Sequence, residues 1–255
     1  AVKMINVAAF PGYTSHLLEL HKSSASAGHF SLDPDADGII RRVPMLAEFD
    51  GAYYEPLSLA MVRMIIGGQK IMPGYPSDRI WSKSYSGLEW LELGPLRVPV
   101  DEHVTALIPY RGKQRSFNYI SATDVLNERV DPAQLQAKIV LVGTSAPGLL
   151  DLRATPVEEV YPGVEVHANM ISGILDRNIK QKPPYVIGAE FLSLLIAGLA
   201  MALVLPLLNP LKSLLITVAV LLGVLTINLI VFHVGNLVLP LASGLMLISL
   251  LFALN

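Results

Sequence analysis

The chain has 255 residues, of which 52% are hydrophobic and 16% are charged, with a formal net charge of −2. Soluble domains average about 25% charged residues, so the composition excludes an ordinary soluble protein, and the lack of a basic tract excludes nucleic acid as the main partner. The chain contains no cysteine, which excludes disulfides, thiolate catalysis and cysteine metal sites.

The charged residues are unevenly distributed along the chain. Of the 19 basic and 21 acidic side chains, only Lys212 and Glu190 lie in residues 185–255. We therefore predict two parts that meet near Pro183-Pro184. Residues 1–184 form an α/β domain, and residues 185–255 form a membrane segment.

The first part is predicted to contain short strands and helices. Met4–Phe10 is an apolar run typical of a buried strand. Asp37-Gly38 predicts a hairpin turn before a strand at Ile39–Val43. Pro56–Gly67 begins with proline, has apolar residues at helical spacing and ends with glycine, which indicates a helix. Three further strands and a short helix are predicted at Leu88–Leu93, Leu96–Val100, Thr105–Tyr110 and Ala122–Glu128.

A strand, a long loop and a helix come next. Lys138–Gly143 is a β-branched apolar run of the kind buried on both faces of a sheet. Gly163–Arg177 has an apolar stripe at helical spacing. Ligands of α/β sheets bind at the carboxyl ends of strands, so we expect the ligand at the loop Thr144–Pro162. The residues that we single out as ligand-binding candidates are Thr144, Ser145, Asp151, Arg153 and Arg41.

The second part is predicted to span a membrane three times. A helix needs roughly 20 apolar residues to cross the ~30 Å hydrocarbon core. The runs at about 186–208, 211–232 and 237–254 have that length and lie too far along the chain for a signal peptide. The alternative is a set of core helices in a soluble protein. The few flanking charges do not decide the orientation.

An acidic turn invites comparison with a calcium loop. Asp33, Asp35, Asp37 and Gly38 match the opening of an EF-hand loop. The twelfth position, where the bidentate glutamate belongs, is Pro44. We therefore interpret the segment as a turn.

Other patterns leave alternatives open. Gly143–Gly148 follows a predicted strand like a phosphate loop but lacks the Gly-Lys-Ser/Thr ending, so it either holds an anion through backbone amides or is a simple connection. Arg41 offers a planar fork of donors to a ligand or forms an ion pair with a loop aspartate. His167, with Glu165 and Asp151, lacks a second histidine at metal-ligand spacing and a nucleophile elbow. We expect His167 to be a packed, hydrogen-bonded core residue, and we expect no catalytic residue, metal site or cofactor.

Four segments occur in a characteristic order. They are Asp35–Leu46; Glu55–Ala60; Ile108–Gly112 with Tyr119–Leu126; and Lys138–Ala146 with Asp151, Thr155-Pro156 and Tyr161–Asn169. Together with the membrane runs, this order resembles the type 2 CHASE family, the extracellular sensory domains of cyclases and histidine kinases. The resemblance covers roughly residues 28–254.

The resemblance implies an extracytoplasmic α/β sensory domain followed by three transmembrane α-helices in the bacterial cytoplasmic membrane. Residues 1–184 would lie outside the cytoplasm, Asn209–Lys212 inside and His233–Asn236 outside. The family pattern also includes a first half of the sensory domain, a leading span and a cytoplasmic output module. These are not in the sequence, so we expect a piece of a longer adenylate or guanylate cyclase or sensor kinase.

The resemblance thus implies the receiving part of a signalling receptor, with no catalytic module in this chain. The expected partners are a small-molecule or envelope signal, the lipid bilayer and a second copy in a homodimer, but not nucleic acid. The alternative is a non-signalling membrane protein, such as a transport accessory or envelope-assembly component, with the same external domain. The sequence that follows Asn255 would separate the two hypotheses.

Overall fold

The computed structural model describes residues 7–15, 17–76, 87–145, 151–183 and 185–255. The chain divides into two compact units, Ala1–Ile179 and Lys180–Asn255. The first unit is a mixture of short strands and helices, which confirms the predicted α/β class. The second unit is made of apolar helices.

The described part of the first unit has strands and helices in the following order: β1 (Ala8–Ala9), α1 (Leu18–Ser23), β2 (Arg42–Pro44), β3 (Ala47–Phe49), β4 (Ala52–Tyr54), α2 (Leu57–Ile65), β5 (Ile71–Gly74), β6 (Trp90–Leu93), β7 (Leu96–Pro99), β8 (Thr105–Leu107), α3 (Ala122–Leu126), β9 (Leu152–Arg153), β10 (Tyr161–Pro162) and α4 (Gly163–Leu175). A 3-10 turn at Pro132–Gln134 is capped by the side chain of Asp131.

The strands form small, mostly antiparallel sheets. The pairings are β1-β3-β4, β2-β8, β5-β6-β7 and β9-β10, and only β1 and β3 run parallel. The hairpin β6–β7 shows why the alternating sequence forms strands. Leu91 pairs with Val98 and both are buried, whereas the neighbouring Arg97 is exposed. Alternate side chains of a strand point to opposite faces, so one face of this hairpin enters the core.

The core of the first unit lies between the sheets and the helices α2 and α4, which pack against each other. Helix α2 follows Pro56, which is suited to the start of a helix because its missing N–H would be unpaired there. Leu59 and Val62 of α2 are fully buried, as are Val166 and Met170 of α4. Burying each such side chain contributes roughly 1.5–3 kcal/mol. Both helices are thus fixed at their apolar faces.

The predicted buried strand Lys138–Gly143 is wrong. The segment forms no strand or helix, and Ile139, Val140 and Val142 are 43%, 51% and 91% exposed. Among the described residues, no backbone hydrogen bond is made by residues 139–145. Only Leu141 packs against the core. A β-branched sequence favours extended backbone, but a strand also requires a neighbour to accept its hydrogen bonds.

The second unit contains α5 (Tyr185–Val204), a 3-10 turn (Leu205–Leu207), α6 (Pro210–Val234) and α7 (Ala242–Ala253). Two helical stretches are long and apolar enough to cross a membrane, Tyr185–Leu207 with a mean hydropathy of 2.2 and Pro210–Val234 with 2.8. Their side chains are largely exposed, unlike those of a core helix. The first two predicted spans therefore correspond to helices of spanning length.

The third predicted span is corrected by the structure. At ~1.5 Å per residue, the 12 residues of α7 reach about 18 Å, short of the ~30 Å hydrocarbon core. Residues 235–241 are not helical. Pro240 prevents a helix from beginning earlier than α7 does, because proline has no N–H to donate and disfavours helical backbone in the residue before it.

The segment that leads into α5 is held by the connection between α6 and α7. The N–H of Gln181 donates to the carbonyl of Asn236 at 2.8 Å, and the N–H of Val238 donates to the carbonyl of Gln181 at 2.9 Å. Nζ of Lys180 donates to Oδ1 of Asn236 at 2.6 Å. The start of α5 and the end of α6 therefore share one end of the helical unit.

Candidate functional site

Arg41 belongs to a cluster of ion pairs at the acidic turn. Its guanidinium contacts the carboxylates of Asp35 and Asp37, each at 2.8 Å. Arg42 contacts Asp35 at 2.9 Å and Asp101 at 3.5 Å. The hydrogen bonds from Arg41 lower the pKa of Asp37 to about 2. Of the two alternatives for Arg41, the structure shows the ion pair, which holds the turn ahead of β2.

Asp151 and Arg153 come together at the N-terminus of α4. The N–H of Gly163, the first residue of α4, donates to the carbonyl of Asp151 at 2.9 Å. A β-carbon at Gly163 would lie 2.4 Å from Oδ1 of Asp151, so only glycine permits this approach. Arg153 contacts the same Oδ1 atom at 3.4 Å. A carboxylate is stabilised here because a helix N-terminus carries about half a positive charge.

Thr144 and Ser145 come directly after Gly143, which closely approaches the N-terminus of α4. A β-carbon at Gly143 would lie 2.5 Å from Cβ of Val164, the second residue of α4. Thr144 is exposed and Ser145 is half-buried. Residues 146–150 of the predicted ligand loop lie outside the described residues. The backbone on both sides of them thus meets the first turn of α4.

The hairpin β9–β10 is also tied to the segment that carries Arg41. The N–H of Ile40 donates to the carbonyl of Ala154 at 2.8 Å, and the hydroxyl of Tyr110 donates to the carbonyl of Ile40 at 2.9 Å. The Arg41 side chain is engaged with its aspartates rather than with the hairpin. The structure therefore brings Asp151 and Arg153 together and leaves Arg41 in a separate ion-pair cluster; the ligand-binding role of all five candidates stays a prediction.

Sequence reasoning missed the main contacts of Glu165. This carboxylate is 2% exposed. It accepts hydrogen bonds from the N–H groups of Arg115 at 3.1 Å and Ser116 at 2.9 Å, and from the hydroxyl of Tyr119 at 2.5 Å. Burial, with this bond, raises the pKa of Tyr119 above its ordinary value. Glu165 thus fixes the loop over residues 111–119 rather than joining Asp151 and His167 in a catalytic set.

Asn169, one turn along α4, continues this arrangement. Its Oδ1 accepts from the N–H of Arg111 at 2.9 Å, and its Nδ2 donates to the hydroxyl of Tyr161 at 2.8 Å. Asn169 and Tyr161 are both fully buried. Burial raises the pKa of Tyr161 to about 12. One face of α4 is therefore a polar platform that holds the 111–119 loop by its backbone.

His167 lies on another face of α4, in a buried group with His29 and Ser58. His167 is 4% exposed and Ser58 is fully buried. Both ring nitrogens of His29, Nδ1 of His167 and Oγ of Ser58 have no hydrogen-bond partner among the described residues. Burial lowers the pKa of each histidine to about 4, and repulsion from His167 adds to the effect at His29. His167 is packed as predicted, but no described residue forms a hydrogen bond with its Nδ1.

Two concave surfaces of the first unit lie away from these residues. Two shallow depressions of about 510 and 370 Å³ share the turn Gly68–Lys70 after α2. Neither is lined by the five predicted ligand-binding residues. Within the described part of the chain, no group of three His, Asp or Glu side chains is placed to hold a metal ion.

A comparison with known protein families identified a match. Residues 3–207 match the CHASE2 domain, which confirms the resemblance in the ordered motifs. No match was found among curated proteins or solved structures. The match spans the mixed α/β unit and continues into the first apolar helix. The chain belongs to the CHASE2 domain family, a family of extracellular sensory domains.

Proposed function

We propose that the chain is the signal-receiving and membrane-signalling portion of a receptor in the bacterial cytoplasmic membrane. The observation that carries this proposal is the presence of a CHASE2 domain and two helices of spanning length in one chain. The first unit would lie outside the cytoplasm. The output module would be cytoplasmic, most often a class III adenylate or guanylate cyclase in this family.

The covalent connection between the two units supports a signalling role. Helix α4 ends at Leu175 and α5 begins at Tyr185. The intervening segment is short, and its residues Lys180 and Gln181 are hydrogen-bonded to the α6–α7 connection. A displacement of α4 would therefore pass to an anchored segment rather than to a slack linker.

The proposed ligand surface is the first turn of α4 with Thr144, Ser145, Asp151 and Arg153. A ligand changes the balance of two receptor states only through its different affinity for them. Contacts at the start of α4 would meet this condition, because α4 lies in the core of the first unit and is the last helix before α5 in the chain. Arg41 stabilises the adjoining turn and would act on the surface from a distance.

The topology can be tested because the chain has no cysteine. Single-cysteine variants Thr144→Cys and Asn209→Cys both place a thiol at an exposed position. A membrane-impermeant maleimide added to intact cells should label Thr144→Cys but label Asn209→Cys only after permeabilisation. The wild type is the unlabelled control. The reverse labelling pattern would contradict the proposed orientation.

The signalling role is tested by the output of the complete receptor. A cyclase or kinase module after Asn255 would support it, whereas a further membrane bundle there would favour a transport or envelope-assembly component. With the output module present, Arg153→Ala should change the response to the stimulus without lowering the thermal stability of the chain.

A further inference from the structure

The buried group formed by His29, Ser58 and His167 has no part in the surface proposed above. Oγ of Ser58, Nδ1 of His167 and both ring nitrogens of His29 are buried without a hydrogen-bond partner among the described residues. Buried polar groups are nearly always hydrogen-bonded, and each exception calls for an explanation. His29 and His167 lie near enough to interact electrostatically, and unpaired ring nitrogens in both residues indicate a function beyond packing.

The fold brings these residues together from distant parts of the chain. The carbonyl of His29 accepts from the N–H of Leu57 at 2.7 Å, which fixes His29 at the start of α2. Ser58 is the next residue of α2, and His167 lies on α4, which packs against α2. The charges of His29 and His167 repel each other. The two imidazoles therefore lie at the α2–α4 contact.

We propose that His29 and His167, with the hydroxyl of Ser58, form a proton-binding site through which a fall in external pH loosens the packing of α2 against α4. The proposal rests on the sensory function argued above and names the proton as a stimulus. A neutral imidazole is tolerated in this setting. An imidazolium needs acceptors for both N–H groups, which water supplies when the helices separate.

The neighbouring carboxylates already have other partners and so are poorly placed to accept from a charged imidazole. Among the described residues, charged groups on or beside the elements packed at this contact form the contacts Glu55–Arg63, Arg97–Glu92, Arg153–Asp151, Arg111–Asp176 and Glu165 with the 111–119 loop. Burial alone lowers the pKa of His167. Burial also lowers the pKa of His29, and repulsion from His167 adds to it. Charging either histidine is thus opposed by its environment.

The direction and size of the pH effect on the packing of α2 against α4 follow from the linkage between proton binding and packing. The pKa of each histidine is about 4 in the packed state, below the ordinary 6.5. The loosened state therefore binds protons more readily, and packing is weakened as the pH falls from about 6.5 toward about 4. Between pH 7 and pH 5, one histidine should raise the population of the loosened state by about 20-fold.

Hydrogen exchange in the whole chain, held in lipid nanodiscs at pH 7 and pH 5, tests the proposal. After correction for intrinsic rates, the amides of α2 and α4 in the wild type should open at least about 20-fold more often at pH 5. The double variant His29→Gln/His167→Gln should show a change of less than about threefold, as expected when neither group titrates in this range. The control His103→Gln removes an exposed histidine and should behave like the wild type.

Three results would overturn the proposal. They are a wild type with no change in exchange, a double variant that responds like the wild type, and protection of α2 and α4 by stoichiometric Zn²⁺ that the double variant lacks, which would indicate a metal site. If the double variant does not fold, His29→Gln alone should reduce the response. Because exchange is measured without an output module, a receptor whose output ignores pH would contradict the proton as a stimulus of signalling while leaving the proton site in place.

Discussion

Oγ of Ser243 at the start of α7 donates a hydrogen bond to the carboxylate of Glu190 in α5. Glu190 is the only acidic residue of the second unit, and Ser243 is the second residue of its helix. The carboxylate therefore lies at the N-terminus of α7, where a negative charge is favoured. An acidic residue in an apolar helix is costly when unpaired, and this contact gives it a partner.

The Glu190–Ser243 contact predicts a tolerant response to one substitution. Glu190→Gln keeps an oxygen that accepts from Ser243, so membrane insertion and thermal stability should be unchanged. Glu190→Ala removes the acceptor. A double-mutant cycle of Glu190→Ala with Ser243→Ala should give a coupling of about 0.6 kcal/mol, the average for hydrogen bonds between membrane helices. Loss of insertion in Glu190→Gln would instead identify a carboxylate whose charge is essential.

Gly163→Ala should destabilise the first unit. The new β-carbon would meet the Asp151 carboxylate at 2.4 Å, so the β9–β10 hairpin or the first turn of α4 must shift. We expect a loss of about 1–3 kcal/mol in the free energy of unfolding, as for other overpacked sites, measured by chemical denaturation. Gly12→Ala is the matched control because no heavy atom lies within 4 Å of its β-carbon. Equal stabilities for the two variants would show that the close approach at Gly163 is not maintained in solution.

Glu165→Gln should be among the most destabilising conservative changes. The buried carboxylate accepts three hydrogen bonds, whereas a glutamine amide would turn an N–H₂ group toward donors. Leaving such a group unsatisfied costs about 1–3 kcal/mol. Thermal unfolding should be compared with Glu159→Gln, which replaces an exposed carboxylate. If both variants unfold at the wild-type temperature, Glu165 does not hold the 111–119 loop.

Asp151 and Arg153 should differ in what their removal does. Arg153→Ala removes a half-exposed side chain and should change receptor output with less than about 0.5 kcal/mol of destabilisation. Asp151→Ala should also lower the free energy of unfolding by about 0.3–1 kcal/mol, because the carboxylate stabilises the N-terminus of α4. Output assays of the complete receptor, with thermal melts of the same variants, separate the two effects. Unfolding of Arg153→Ala would make that residue structural.

Replacement of Pro183-Pro184 by Gly-Gly should uncouple ligand binding from output. Proline-rich segments are extended and stiff, whereas glycine makes a flexible linker. Pro184 lies outside the described residues, and the preceding Lys180 and Gln181 are anchored on the α6–α7 connection. The control Pro183-Pro184→Ala-Ala retains more stiffness and should signal better than Gly-Gly. A Gly-Gly receptor with normal output would exclude this route of transmission.

Local patterns in the sequence predicted those elements whose causes are local. The helix at Pro56–Gly67 and the strand at Leu88–Leu93 appear as α2 and β6, shortened at their ends. In both, the burial pattern repeats within a few residues. Lys138–Gly143 has the same kind of local signal but is not a strand, because pairing depends on a neighbour that composition does not reveal. Pro240 is a local signal that a helix is interrupted. The apolar run around it favoured a third span and outweighed that signal.

The candidate site likewise combines contacts that are local in the sequence with contacts that depend on the fold. Asp151 and Arg153 are close in sequence, so their proximity in the structure could be expected. The role of His29 could not be predicted from the sequence. Its contact with the start of α2 and its position near His167 depend on the packing of two helices. No spacing rule joins residues so far apart in the chain. Burial, which decides the protonation of these histidines, is likewise a property of the assembled core.

The run from Ile139 to Val142, in which every side chain but Leu141 is exposed, has a practical consequence for the protein in solution. Backbone N–H and C=O groups of this run have no partner among the described residues. Exposed apolar backbone of this kind can pair with another molecule, which natural proteins suppress with charged gatekeeper residues. This chain has Lys138 at one end of the run and no charge within it. Concentrated samples should therefore self-associate through this run. Val142→Lys, at a side chain that is 91% exposed, should improve colloidal behaviour, seen by light scattering, without altering the melting temperature.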